Sequence, residues 1–284
     1  MKRGMPLLGT MIKTAGDEQK YRRTADTRPA TAILERRSRI VCTQTPLRAR
    51  NIFAPLPEPL PAPMDLTAVP LPLAWIATGW IAGVPVLLWA LRTAPWTRLA
   101  DGRFIHVFGG AIVCEIVLWT IRATIGGAFT FHLLGVTAFT LVAGPQLALI
   151  GSAIAVPLQI AVHGGHWGNA GIGFVTMAAL PVAVAWTVHV TAQRRLPPNF
   201  FIYIFVGAFF GAAVALATGG IAAACALAFG AGLPAGVVFG EYLPYLLFIA
   251  WGEAMLTGMT LTVLVVYRPQ WVATFDDARY LRGR

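Results

Sequence analysis

From Leu71 to Tyr267 apolar residues follow one another with almost no polar relief, in stretches long enough to cross a bilayer. The stretches fall at 72–91, 104–121, 129–143, 145–162, 172–192, 200–222 and 242–267. In lipid every backbone N–H and C=O must bond within the chain, so each stretch is expected to be a helix. The pattern predicts an all-α polytopic integral membrane protein of about seven transmembrane helices, bounded by six and eight. Gly144-Pro145 divides the third stretch from the fourth. Gly is conformationally permissive and Pro lacks an N–H, so the pair marks a tight turn or a helix break. Short, interrupted spans are where transporters commonly place a binding site. The Gly- and Ala-rich stretch 221–236 reads as a re-entrant piece or as an extension of the sixth helix. Gly207 and Gly211, one turn apart in that helix, suit close packing within the bundle or against a partner protein.

Composition divides the chain near Met64. Overall it is 57% hydrophobic and 12% charged. A soluble domain carries about 25% charged residues, so a globular enzyme is excluded. Residues 1–63 hold 12 of the 22 basic residues and 5 of the 12 acidic ones, and end in a Pro-rich run. They read as a disordered basic extension ahead of a transmembrane domain at 64–284, with Met64 as a candidate true start. A lipid bilayer, and no nucleic acid, is the expected partner of such a chain. Arg92, Arg98 and Arg103, then Arg194 and Arg195, then Arg268, Arg279, Arg282 and Arg284 fall on one side of a seven-span topology. Basic residues favour the cytoplasm, which predicts an outside-in orientation with a cytoplasmic C-terminus.

The opposite side collects the candidate chemistry. His132 opens the third stretch, His163 and His166 lie in a His-Gly-Gly-His-Trp loop, and Asp65 precedes the first span. Imidazole is a good ligand for borderline metals, which makes His132, His163, His166 and Asp65 the candidate metal-binding set. His106 and His189 lie near the other interface and read as snorkelling or capping groups. Glu115, Glu253 with Thr257, and Glu241 are intramembrane polar candidates, each either functional or a hydrogen-bonding strut between helices. Arg122 is a candidate partner for Glu241. Cys42, Cys114 and Cys225 have no metal-like spacing. No nucleotide-binding or hydrolase motif occurs, so ATP hydrolysis and ordinary hydrolase chemistry are not expected of this chain.

Phe131-His132-Leu133-Leu134-Gly135 followed by Gly144-Pro145 resembles the His-Leu-[Leu/Ile]-Gly … Gly-Pro signature of the CbiM-type cobalt/nickel permeases. Glu253, Thr257 and Gly258 resemble the Glu-x-x-x-Thr-Gly of that family's last helix. The segments 195–205 and 265–277 are similar to a proteobacterial branch of energy-coupling-factor permeases. The resemblance implies a substrate-capture subunit of an energy-coupling-factor ABC transporter in the bacterial cytoplasmic membrane. It also implies a transmembrane coupling subunit and ABC ATPase subunits as partners. In metal-capturing relatives the ion is held by an N-terminal Met-His and by the motif histidine. Here His132 matches the motif histidine, but Asp65 follows Met64, and the Asn of a later helix is replaced around Gly173. Asp65, His163 and His166 are then the residues available to rebuild a site.

The expected function is a permease or substrate-capture subunit for a divalent transition metal, Co- or Ni-like. No resident cofactor is firmly implied; bound Co, Ni or Zn would be substrate. The alternatives are a metal or redox accessory or assembly protein on the same fold without transport, and an intramembrane enzyme using His and Glu.

Overall fold

The computed structural model describes residues 65–125 and 129–280. The basic extension and the candidate start at Met64 lie outside the described residues. Among the described residues six helices are long and apolar enough to cross a membrane: α1 (Leu73–Thr93), α2 (Gly102–Thr120), α4 (Pro145–His163), α5 (Trp167–Arg195), α6 (Phe200–Gly230) and α7 (Ala235–Tyr267). Their ends follow local chemistry. The Arg103 N–H donates to the Asp101 side chain at the start of α2, and the Phe201 N–H donates to Asn199 at the start of α6. Gly164, at φ 72°, closes α4 in the left-handed conformation that glycine tolerates.

The third predicted span is not a helix of span length. Residues 129–143 form strand β2 (Phe129–Phe131), an irregular loop at 132–135, and the eight-residue helix α3 (Val136–Ala143). Strand β2 pairs antiparallel with β1 (Ala123–Ile125). Gly135 at φ 68° starts α3 and Gly144 at φ 93° ends it, with Pro145 opening α4. Two glycines in backbone conformations that other residues avoid therefore interrupt what apolarity alone reads as one helix. The segment still runs the length of the bundle. Its first part lies beside Asp65, ahead of α1, while the Ala143 carbonyl at its end accepts from Arg98, beyond α1. Among the described residues the topology is six long helices plus one crossing made in two pieces.

Residues 221–230 continue α6 without a re-entrant turn. Helices α1 and α2 are peripheral, with 17% of their apolar windows buried against 61% for α5. The core lies between α2, α3, α4 and α5, around Trp119, Phe129, Phe139, Leu147 and Val156. Close approach of α1 to α5 depends on Gly79, where an added Cβ would collide with the Ile172 backbone. Gly207 and Gly211 face His189 and Val188 of α5. His189 is buried, 5.5 Å from the Trp186 ring and 5.9 Å from that of Tyr203, so it is a packed group and not a snorkelling one.

Beyond Tyr267 the chain folds back beneath this core. The Ala273 and Thr274 N–H groups donate to the Val142 and Leu141 carbonyls, and Gln193 bonds Tyr280 of the short helix α8 (Asp277–Tyr280). The free carbonyls at the end of α3 are thereby satisfied.

Candidate functional site

The segment before α1 is folded into the bundle. Asp65, Leu66 and Thr67 are all buried, in a turn in which the Thr67 N–H donates to Asp65 Oδ1. Two neighbours hold the turn. The Asn169 side-chain amide donates to the Leu66 and Val69 carbonyls at 2.9 and 2.7 Å, and the His166 N–H donates to the Thr67 carbonyl at 2.8 Å. Gly165 makes the approach possible, because a Cβ there would lie 2.8 Å from the Thr67 oxygen. The His-Gly-Gly-His loop thus contributes backbone. His163 is half-buried with Nδ1 3.1 Å from the Gln159 carbonyl, and His166 is exposed.

Arg122, just past α2, lies 2.6 Å from Asp65 Oδ2. The expected Arg122–Glu241 partnership is therefore replaced by Arg122–Asp65, and Glu241 lies half-buried in α7. Asn169 was not among the sequence candidates. An asparagine does occupy this helix, one turn before Gly173, and its orphan-seeking amide joins α5 to the first buried turn. Its signal is an amide side chain at the start of an apolar helix.

His132 sits where these parts meet. Its ring lies 5.9 Å from that of Trp119, and its Nδ1 is 3.2 Å from the Leu133 carbonyl. In the tautomer that donates from Nδ1, Nε2 keeps the lone pair a ligand needs.

The loop carrying His132 is clamped from both sides. The Trp119 indole N–H donates to the Leu134 carbonyl at 2.9 Å. The Leu134 and Gly135 N–H groups donate to Glu253 Oε2 and Oε1 at 2.8 and 2.7 Å. Glu253 is 1% exposed, so both bonds are shielded from water. Glu115, equally buried, accepts from the Ser152 hydroxyl at 2.6 Å. The Thr257 hydroxyl, one turn from Glu253, has no hydrogen-bond partner among the described residues.

His132 and Asp65 line a cavity of about 70 Å³, closed by Thr176, Met177, Leu227 and Tyr242 among others. That is room for a few water molecules or one partly hydrated ion. The last four residues lie in stretches where α5, α6 and α7 widen to π-helix, at Val175–Ala179, Ala226–Gly230 and Val238–Tyr242. Such widened turns recur at functional sites because they redirect side chains without ending the helix. Among the described residues no three His, Cys, Asp or Glu side chains converge as metal ligands. The structure brings Asp65, Arg122, His132 and His163 into one neighbourhood, and places Glu115 and Glu253 deeper in the bundle.

Two solved structures share this architecture. One, described as a truncated transition metal transporter, aligns with a TM-score of 0.61 at 19% identity, over 72% of this chain and 98% of its own. Another, described as a transition metal transporter, aligns at 0.60 and 19%, over 71% of this chain and 91% of its own. At that identity the likeness shows the fold. No curated protein matches in sequence. The family model described as the cobalt uptake substrate-specific transmembrane region matches residues 67–271, from the first buried turn to the end of α7 and beyond, and on that match the chain belongs to the CbiM family.

Proposed function

We propose that this chain is the membrane-embedded substrate-capture subunit of an energy-coupling-factor ABC transporter, carrying a divalent transition metal cation of the Co or Ni kind. The observation that carries the reading is the clamped His132 imidazole on a small cavity that Asp65 also lines. A borderline cation prefers such a nitrogen donor, and a ring held by its loop loses little entropy on binding. His132 is the proposed primary ligand and His163 the nearest candidate second donor. Both Asp65 oxygens are engaged, one by the Thr67 N–H and one by Arg122, so its proposed role is to shape the site and balance charge. His166, being exposed, is proposed to act through its backbone. The cation enters from the outside, the Arg-rich end faces the cytoplasm of a bacterium, and separate coupling and ATPase subunits supply the energy. The chain itself performs no catalysis.

One observation favours a second reading, an accessory or assembly protein on the same fold without transport. It is the lack of three convergent protein ligands among the described residues. Metal analysis of detergent-purified protein with and without His132→Ala separates the two. Near-stoichiometric Co, Ni or Zn that disappears in the variant supports capture. Folded protein that binds none at micromolar metal overturns it.

A further inference from the structure

Helices α2 and α7 flank α3 without closing over it, leaving a groove of about 630 Å³ whose walls carry Gly110, Val113 and Cys114 on one side and Thr257 and Thr260 on the other. The groove opens sideways into lipid: Val113 is 59% exposed, and a Cβ added at Gly110 would touch nothing within 4 Å. Its floor is not what a lipid-facing surface needs. Glu115, 2% exposed, leaves Oε2 without a partner, and Thr257, 0% exposed, leaves its hydroxyl unpaired. Both line the groove. Among the described residues the one ion pair is Arg122–Asp65, so no basic side chain lies within ion-pair distance of Glu115.

We infer that this groove is the docking site for a transmembrane helix of another polypeptide, and that the helix carries a hydrogen-bond-donating side chain at mid-depth that pairs with Glu115 and Thr257. Three features select this occupant. Gly110 and Cys114, four residues apart, let a second backbone come close to α2, and small residues are what membrane helices use for close approach. The unpaired carboxyl oxygen needs a donor and the Thr257 hydroxyl a partner, and within hydrocarbon an unsatisfied polar group is costly. An acyl chain fills the space but brings no donor; an anionic headgroup anchored at Arg103, at the mouth of the groove, would still leave Glu115 unpaired. The inference does not depend on which cation is carried, because Glu115 and Thr257 do not line the His132 cavity.

The test is photo-crosslinking in native membranes, with p-benzoylphenylalanine placed at Val113 in the full chain and at Ile154 of α4 as a lipid-facing control. The expected product joins Val113 to a transmembrane segment of a different polypeptide. Mass spectrometry should find Ser, Thr, Asn, Gln, Lys or Arg within one turn of the crosslinked residue. Its yield should fall about tenfold, the worth of one interhelical hydrogen bond in a membrane, in Glu115→Leu, and hold in Glu115→Gln. Gly110→Leu fills the groove from an open position and should abolish the product without disturbing the fold. Only lipid adducts, a product joining two copies of this chain, equal yield from Ile154, or indifference to Glu115→Leu and Gly110→Leu would each overturn the inference. Metal retention by Glu115→Leu protein, measured in parallel, reports separately on the capture site.

Discussion

Glu253 Oε1 accepts a hydrogen bond from the Gly135 N–H at 2.7 Å, joining residues 118 positions apart in the chain. With its other oxygen on the Leu134 N–H, one carboxylate in the longest helix sets the backbone that presents His132. The motif around His132 and the motif around Glu253 are thus two halves of one contact. Replacing Glu253 with Ala strands two buried N–H groups, at a cost of about 2 to 5 kcal/mol. Thermal unfolding in detergent should show that loss, together with weaker metal retention. Glu253→Gln keeps one acceptor and should fall between. Trp119→Phe releases the Leu134 carbonyl on the other side of the clamp. Because both variants free the same loop, their combined effect should be smaller than the sum, and a double-mutant cycle checks it.

Gly164 and Gly165 are adjacent but constrained for different reasons. Gly164 holds φ 72° with nothing within 4 Å of an added Cβ, so Gly164→Ala should cost about 1 kcal/mol through backbone strain alone. Gly165→Ala would press on the Thr67 carbonyl, which cannot move without leaving the His166 N–H. It should loosen the turn at 65–69, cost about 1 to 3 kcal/mol as overpacking does, and open that turn to protease. Equal protease sensitivity in the two variants would contradict the assignment of Gly165 to close approach.

Asp65 and Arg122 are nearly buried, with side chains 10% and 14% exposed. Removing either leaves the other's charge poorly solvated, so Asp65→Asn and Arg122→Met should each lower stability by about 2 to 3 kcal/mol. Asp65→Asn with Arg122→Met removes both charges and should lose less than the two single changes together. Strict additivity of the measured unfolding free energies would show that the pair does not interact.

How much of this was legible in the sequence follows from what apolarity reports. Unbroken hydrophobic runs located the six long helices, and the Gly144-Pro145 break was visible as a break. Apolarity cannot report left-handed backbone, so Gly135 and the strand before it passed for part of a helix. The HLLG and ExxxTG segments could be seen as two motifs, but not that Glu253 bonds the backbone of the first. Partner choice was the least accessible. The sequence pairs Arg122 with Glu241 because both fall at one face, whereas the turn that folds Asp65 inward brings its carboxylate to Arg122. Asn169 carries no local signal of its role, which is to bond carbonyls about 100 residues earlier. The groove floored by Glu115 arises from the spacing of α2 and α7 around the short α3, which no local pattern encodes.

The clamp around His132 makes a prediction that separates the ring from its loop. Glu253 and Trp119 bond the backbone at Leu134 and Gly135, whatever side chain stands at 132. His132→Asn should therefore keep thermal unfolding in detergent within about 1 kcal/mol of wild type while metal retention is lost. Early unfolding of the variant would show that the ring, which lies 5.9 Å from that of Trp119, serves packing, and retained metal would show that another group is the ligand.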